Sequence, residues 1–151
     1  VLMGGCSFKM DMGGLQRMVG TAIAQSQATR QLAANIGEAL KSSTQDRFEH
    51  GVGPDGTPWE PSQRALKKGG KTLVNNNILQ NSIDWEASDS TVVVGTNNEY
   101  ARIHQLGGQA GRGHAVTLPA RPYLGLSEED HAEIREMMRD HLAASLTGGR
   151  P

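Results

Sequence analysis

Ile83-Asp84-Trp85-Glu86-Ala87-Ser88-Asp89-Ser90-Thr91-Val92-Val93-Val94-Gly95 is the stretch that decides the fold class of this chain. Its two ends suit an extended, pleated backbone, and Ser88-Asp89-Ser90 supplies a turn between them. It reads as a β-hairpin. On both sides the pattern is helical. Upstream, Leu15, Met18, Ala22 and Ile23 mark one face of a helix starting near Gly13, and Leu32, Ile36, Leu40 and Phe48 continue it at multiples of four. Gly51 and Gly53 end that helix. Downstream, Ser127 precedes Glu128, Glu129 and Asp130, a capping-box variant with acids in the first turn. Ile134, Met137 or Met138, His141 and Leu142 form the stripe of this last helix, and Gly148-Gly149 closes it. A hairpin between two helices predicts an α+β domain: a small, mainly antiparallel β-sheet packed by a long N-terminal helix and a C-terminal helix.

Working outward, a helix from Gly13 to Phe48 would run about 54 Å at 1.5 Å per residue. The expected diameter for a chain of 151 residues is roughly 40 Å. Either the helix breaks, at Gly20 or between Gln25 and Gln31, or it projects onto another subunit. Residues 1–12 carry no clear period and read as a flexible arm or an edge strand, leaving 13–151 as a single domain. Pro54-Asp55-Gly56 is a tight turn. Trp59 follows between Pro58 and Pro61, the setting of an aromatic that plugs a local crevice. Ser62 to Lys68 reads as a short basic helix stopped by Gly69-Gly70. Leu79 and Ile83 share a side after bends at Asn75-Asn76-Asn77. Tyr100 to Leu106 reads as a two-turn helix with Tyr100, Ile103 and Leu106 or Gly107 on one face. Gly108 to His114 is expected to be a mobile loop, and Ala115 to Leu118 a strand that joins the hairpin's sheet.

Composition narrows the function. The formal net charge is -1, which argues against a mainly electrostatic nucleic-acid binder. Leu, Ile, Val and Phe total 29 residues, a thin core of the kind that borrows burial from neighbouring subunits. Cys6 is the lone cysteine, so no internal disulfide forms and a reducing compartment fits. The longest uncharged stretches run about a dozen residues, too short to span a bilayer, and no signal peptide is visible.

Reactive chemistry finds little support. His131 and His141 are about 80° out of register and about 15 Å apart on their helix. His104 and His114 have neither a nearby cysteine nor a second histidine at metal-site spacing. His131-Ala132-Glu133 begins like a zinc deaminase signature, but its Pro-Cys-x-x-Cys half is missing. No nucleophile elbow, phosphate loop or dinucleotide fingerprint occurs. No cofactor and no metal are expected. Arg64, Lys67, Lys68 and Lys71 form an uninterrupted basic stretch. It suits a solvated helix, a partner for the acidic last helix of a neighbour, or DNA phosphates. Arg112 lies in the glycine-rich loop, which is a DNA-facing finger, a docking hook or a plain connection. Arg121 stands between Pro119 and Pro122 on a stiffened backbone. It pairs either with the last helix inside the chain or with a partner.

The richest run of motifs extends from Tyr100 to Leu126. In order along the chain stand Arg47-Phe48, Gly53-Pro54-Asp55-Gly56-Thr57-Pro58-Trp59 with Pro61, Leu73, Leu79 and Ser82-Ile83. Then come Val94-Gly95-Thr96-Asn97, Tyr100-Ala101, Ile103-His104-Gln105-Leu106-Gly107-Gly108, and Pro119-Ala120-Arg121-Pro122-Tyr123-Leu124-Gly125-Leu126. This order and spacing resemble the phage virion morphogenesis family, the Mu-like tail completion proteins. Asn75-Asn76-Asn77 departs from the Asp-Thr-Gly-like turn usual there, and residues 1–30 are not covered.

The resemblance implies a structural virion protein, not an enzyme. It implies a ring, six-fold by family expectation, at the head–tail junction or the head-proximal end of the tail. Its partners would be copies of itself and the neighbouring connector and tail tube proteins. Genomic DNA would pass through the lumen without sequence-specific binding, no membrane would be involved, and assembly would take place in the bacterial host cytoplasm. Trp59 and Tyr123 are then expected as buried anchors, with Pro122 and Arg121 fixing the closing segment. Tyr100, His104 and Arg112 are interface candidates. The alternative is a DNA-binding accessory module using Arg64 to Lys71.

Overall fold

The computed structural model of the chain describes residues 5–12, 27–88 and 91–147. In order, its elements are strand β1 (Cys6–Asp11), helix α1 (Gln27–His50), short helices α2 (Gln63–Lys68) and α3 (Ile78–Asn81), and strands β2 (Asp84–Ala87) and β3 (Thr91–Thr96). Helix α4 (Ala101–Leu106) follows. Strands β4 (Gly108–Ala110) and β5 (Val116–Leu118) have a 3₁₀ turn (Arg112–His114) between them, and helix α5 (Glu128–Thr147) comes last. The expected α+β architecture is present.

The decisive hairpin is β2–β3, antiparallel, with Asp84 opposite Gly95 and Ala87 opposite Val92. Ser88 N donates to Thr91 O at 2.8 Å and the two hydroxyls meet at 2.6 Å, which closes the turn from its near end. Asp89 and Ser90 lie outside the described residues. β1 pairs along the other side of β3, giving the order β1-β3-β2. Of the two readings of residues 1–12, the arm gives way to the edge strand for Cys6–Asp11. Half-buried Cys6, Phe8 and Met10 alternate with exposed Ser7, Lys9 and Asp11, the period of a strand with one covered face. Met12 then enters the core, so the boundary expected after residue 12 does not separate an arm from a body.

α1 is the middle layer: it packs on β2 and β3 and also on α5. Leu32, Ala33, Ile36, Leu40 and Phe48 are buried along it, meeting Val92 and Val94 of the sheet. Ile134, Met137, Met138 and Leu142 of α5 join the same cluster. Thr44 occupies a buried position between Leu40 and Phe48, and its hydroxyl donates to Leu40 O at 2.7 Å. At 24 residues, α1 spans about 36 Å, within the expected diameter. The extension back to Gly13, and with it the choice between a break and a projection, falls on residues outside those described. So does the close at Gly148-Gly149.

One glycine sets the spacing between α1 and the sheet. A Cβ on Gly37 would lie 2.4 Å from Cδ2 of Trp85, whose indole N–H donates to Glu38 at 3.0 Å. Alanine favours a helix interior over glycine by about 1 kcal/mol, but overpacking costs about 1–3 kcal/mol. Gly37→Ala is therefore expected to lower stability, by up to about 2 kcal/mol. Urea unfolding followed by tryptophan emission measures this, and a stabilised variant would refute the tight contact.

Three local readings are corrected. Gly108 to His114 is not a loop but strand β4 and a 3₁₀ turn. β5 does not join the main sheet; it pairs with β4, Gly108 opposite Leu118 and Ala110 opposite Val116. Gly107 and Gly108, at φ 72° and 146°, reverse the chain directly after α4. A Cβ on Gly107 would sit 2.7 Å from Ala120 N, so this reversal needs glycine. The local partner wins because it closes the shorter loop. Finally, the apolar face expected on α4 is only partly covered: Ile103 is half-buried, Tyr100 and Leu106 are each 62% exposed, and the buried residue is Ala101.

Candidate functional site

The run from Pro119 to Leu126 crosses the molecule between α4, the Trp59 turn, α1 and α5. Proline at 119 and 122 removes two backbone donors, so the segment cannot pair as an ordinary strand. Side chains satisfy it instead. Gln105 Oε1 accepts from Tyr123 N and Leu124 N, both at 3.0 Å, and its amide donates to Leu124 O at 3.3 Å. The Trp59 indole donates to Pro122 O at 2.8 Å. The Tyr123 hydroxyl donates to Ala101 O at 2.8 Å. Burial, followed by the nearby Cys6, raises the pKa of that hydroxyl and keeps it neutral.

Arg47 ties the other end. Its guanidinium donates to Tyr123 O at 2.8 Å, Gly125 O at 3.1 Å and Ser43 Oγ at 3.1 Å, and forms an ion pair with Asp130. Both partners of that pair are at least 95% buried. Burial lowers the Arg47 pKa, and the charges of Asp130 and Glu129 oppose that. Asp130 also completes the capping box: it accepts from Ser127 N at 2.9 Å while its own N–H donates to Ser127 Oγ at 3.0 Å. Around this knot Phe48 meets the Trp59 ring at 5.6 Å, edge on, and the Tyr123 ring at 5.1 Å, tilted.

Of the two readings of Arg121, the internal ion pair with the last helix is made by Arg47 instead. Arg121 is 5% exposed; its Nε donates to Glu60 O at 2.7 Å and its backbone N–H to His104 O at 2.8 Å. Among the described residues no carboxylate pairs with it. The extended backbone at 119–122 brings its side chain to the Trp59–Glu60 turn, whereas Arg47 on α1 faces the start of α5. Arg47 was legible as an arginine on the apolar stripe of a helix, a position that calls for a buried partner. Gln105 and Asp130 carried no comparable signal beyond Asp130's place in the cap.

The remaining candidates scatter. Trp59 and Tyr123 are buried; Pro122 is exposed but lends its carbonyl. Tyr100 is exposed, and Glu99 beside it raises its pKa, first through a hydrogen bond. His104 is half-buried; burial, then the charge of Arg121, lowers its pKa. Arg112 is exposed at the tip of the β4–β5 hairpin. In the basic stretch, Arg64 donates to Lys71 O at 2.8 Å and Val74 O at 3.0 Å, and Lys71 pairs with Glu49. That leaves exposed Lys67 and Lys68, a weak footprint for nucleic acid. His141, on the expected stripe of the last helix, meets Thr29 Oγ1 at 3.1 Å between α5 and α1.

One cleft gathers a serine, a histidine and carboxylates. At about 500 Å³, it lies between the end of α1 and the start of α5 and holds Ser43, Asp46, Arg47, His50 and Glu129. Ser43 Oγ is taken by Arg47, and His50 Nδ1 meets Asp46 O at 2.9 Å. Seven helical residues separate serine from histidine, about 10 Å of rise, where a nucleophile and its base need about 3 Å. Among the described residues no group of three or more His, Cys, Asp or Glu is placed to hold a metal ion, and no helix is long and apolar enough to cross a membrane.

Comparison with known proteins fits this picture. The sequence model of the phage virion morphogenesis family matches residues 10–143. Mu-like prophage FluMu G protein 2 of Haemophilus influenzae is 39% identical over 121 residues, covering 79% of this chain and 83% of the relative. Tail completion protein S of Escherichia phage P2 is 31% identical over 125 residues, 75% of this chain and 83% of the relative. Protein G of Escherichia phage Mu, whose name refers to capsid assembly, is 33% identical over 118 residues, 72% and 76% of the two chains. No solved structure gives a significant match.

Proposed function

The chain belongs to the phage virion morphogenesis family, and we propose that it is a structural, non-catalytic virion protein. In this reading it forms a ring at the head–tail junction or the head-proximal end of the tail, completing the tail or joining it to the head. Its partners are copies of itself and the adjoining connector and tail tube proteins, with DNA passing through the lumen. One observation carries the reading. The closing part of the motif-rich run, 119–126, is spent on internal ties, while large apolar side chains at Leu66, Ile78, Tyr100, Leu106 and Val116 face outward. Reactive sites converge polar groups on a cleft; here the polar groups converge on the backbone of 119–126 and the apolar surface is left for neighbours. A heterologous contact between such surfaces closes into a ring when the rotation between copies divides the circle.

The test is electron microscopy of particles made by a phage lacking this chain. Separate filled heads and tails are expected, with joining restored when the chain is supplied in trans. Normal, infectious virions from the deletion would overturn the reading.

A further inference from the structure

Resting on the ring reading, we propose that the tip of the β4–β5 hairpin of one copy, residues 112–116, seats in the cavity of a second copy walled by Leu73, Ile78, Tyr100 and His104.

The cavity has a volume of about 160 Å³. That is close to the roughly 150 Å³ of an apolar cavity able to hold a benzene molecule, so one aliphatic side chain fits. Its walls are unfinished. Ile78 and Tyr100 are each 62% exposed. Leu73 is held at φ 65°, a conformation that a leucine rarely adopts. His104 Nδ1 is buried without a hydrogen-bond partner. The exposed walls call for an occupant that brings apolar bulk. Glu99, hydrogen-bonded to Tyr100, places a negative charge beside the cavity, and Arg121 a positive one beside His104.

The hairpin has the matching properties. Residues 108–118 include Arg112 and His114 and no carboxylate, the sign opposite to Glu99. Val116 is 51% exposed, and every residue from 111 to 117 is exposed. A two-stranded hairpin with three-residue strands is marginal unless it packs on something. Within its own chain the tip is exposed throughout, so it does not fill its own cavity. Val116 supplies the bulk. Tip and cavity lie at opposite ends of α4: Tyr100 precedes the helix and Gly107 leaves it. Two different patches make the contact head-to-tail, which builds rings rather than closed dimers.

Site-directed disulfide trapping tests this on the purified full chain. Cys6→Ser removes the native thiol, and Ile78→Cys with Val116→Cys in the same chain places one thiol on each side of the contact. Copper-catalysed air oxidation is expected to give a ladder of covalent oligomers beyond the dimer on a denaturing gel. Mixing the two single-cysteine chains is expected to stop at the dimer. Independently, Val116→Asp is expected to weaken self-association at least ten-fold in sedimentation velocity, while Lys67→Glu leaves it unchanged. Absence of cross-linked species, a double-cysteine product that ends at the dimer, or native association by Val116→Asp overturns the contact. These outcomes separate from the deletion phenotype. Unjoined heads and tails without a ladder remove this contact and keep the assembly role; a ladder with normal deletion virions does the reverse.

Discussion

Asp130→Ala is expected to lose about 3–5 kcal/mol of stability, the cost of leaving a buried charge without its partner. Arg47 and Asp130 are 5% and 3% exposed, so water cannot replace the missing carboxylate. The substitution also removes one half of the capping box of α5, because Asp130 accepts from Ser127 N; Ser127 Oγ keeps its bond from the backbone N–H of residue 130, so this loss adds less than about 1 kcal/mol. A domain of this size has about 5–15 kcal/mol in total, so the variant should unfold at markedly lower urea. Asp130→Asn separates the two roles: it keeps an acceptor for Ser127 N while removing the charge. It should therefore fall between native and Ala. Arg47→Met combined with Asp130→Ala should cost less than the sum of the single changes, by at least about 1 kcal/mol, since the orphaned charge is gone. Tyr123 O and Gly125 O would still lack donors, so full recovery is not expected. Equilibrium unfolding of the native chain, the three single variants and the double variant reads all of this. Strict additivity, or an Ala variant within 1 kcal/mol of native, would show that the pair does not hold α1 to α5.

The fold was legible wherever burial and local chemistry point the same way. Leu32, Ile36, Leu40 and Phe48 mark the core stripe of α1 because one face of a 3.6-residue repeat is covered. Ser127 and Asp130 announce the start of α5 because a cap acts over three residues, independent of what surrounds it. The hairpin β2–β3 needs no more than a run of β-branched residues and a turn. β1 was half-hidden: Cys6, Phe8 and Met10 alternate correctly, but two of the three are not strand formers, and their partner strand is some eighty residues away. The partly covered face of α4 could not be read either. Tyr100 and Leu106 have the composition of a core stripe, and their exposure depends on Gln105 and Ala101 being claimed by the closing segment. The same limit applies to the site. Proline spacing predicts that Arg121 is held stiffly, yet which group it meets is set by the crossing of 119–126 over the Trp59 turn, a long-range event. Arg47 makes the internal ion pair, one of the two readings of Arg121, because it projects from the rigid middle layer toward α5.

Tyr123→Ala and Tyr123→Phe are expected to differ sharply, and the difference decides what the closing segment depends on. The ring is fully buried, with its centroid 5.1 Å from that of Phe48. Deleting a buried aromatic costs about 3–5 kcal/mol. Phenylalanine keeps the packing and loses one hydrogen bond, to Ala101 O, worth about 1 kcal/mol. The larger loss should also be local. Tyr123 N and Leu124 N are held by Gln105 Oε1, and Trp59 is held by Pro122 O. Without the ring these ties lose the anchor that keeps 119–126 in place. Amide exchange at Tyr123 and Leu124 should therefore accelerate in the Ala variant by more than its global destabilisation requires, and remain near native in Phe. Since 119–126 also supports the Gly107 reversal from which the β4–β5 hairpin emerges, the Ala variant should fail to restore joined virions to a deletion phage, and Phe should restore them. If Phe proves as damaging as Ala, the hydroxyl and not the aromatic stack is the anchor. If neither matters, the segment is held by Arg47 and Gln105 alone, and the stack of Phe48, Trp59 and Tyr123 is filling without a role in positioning the hairpin.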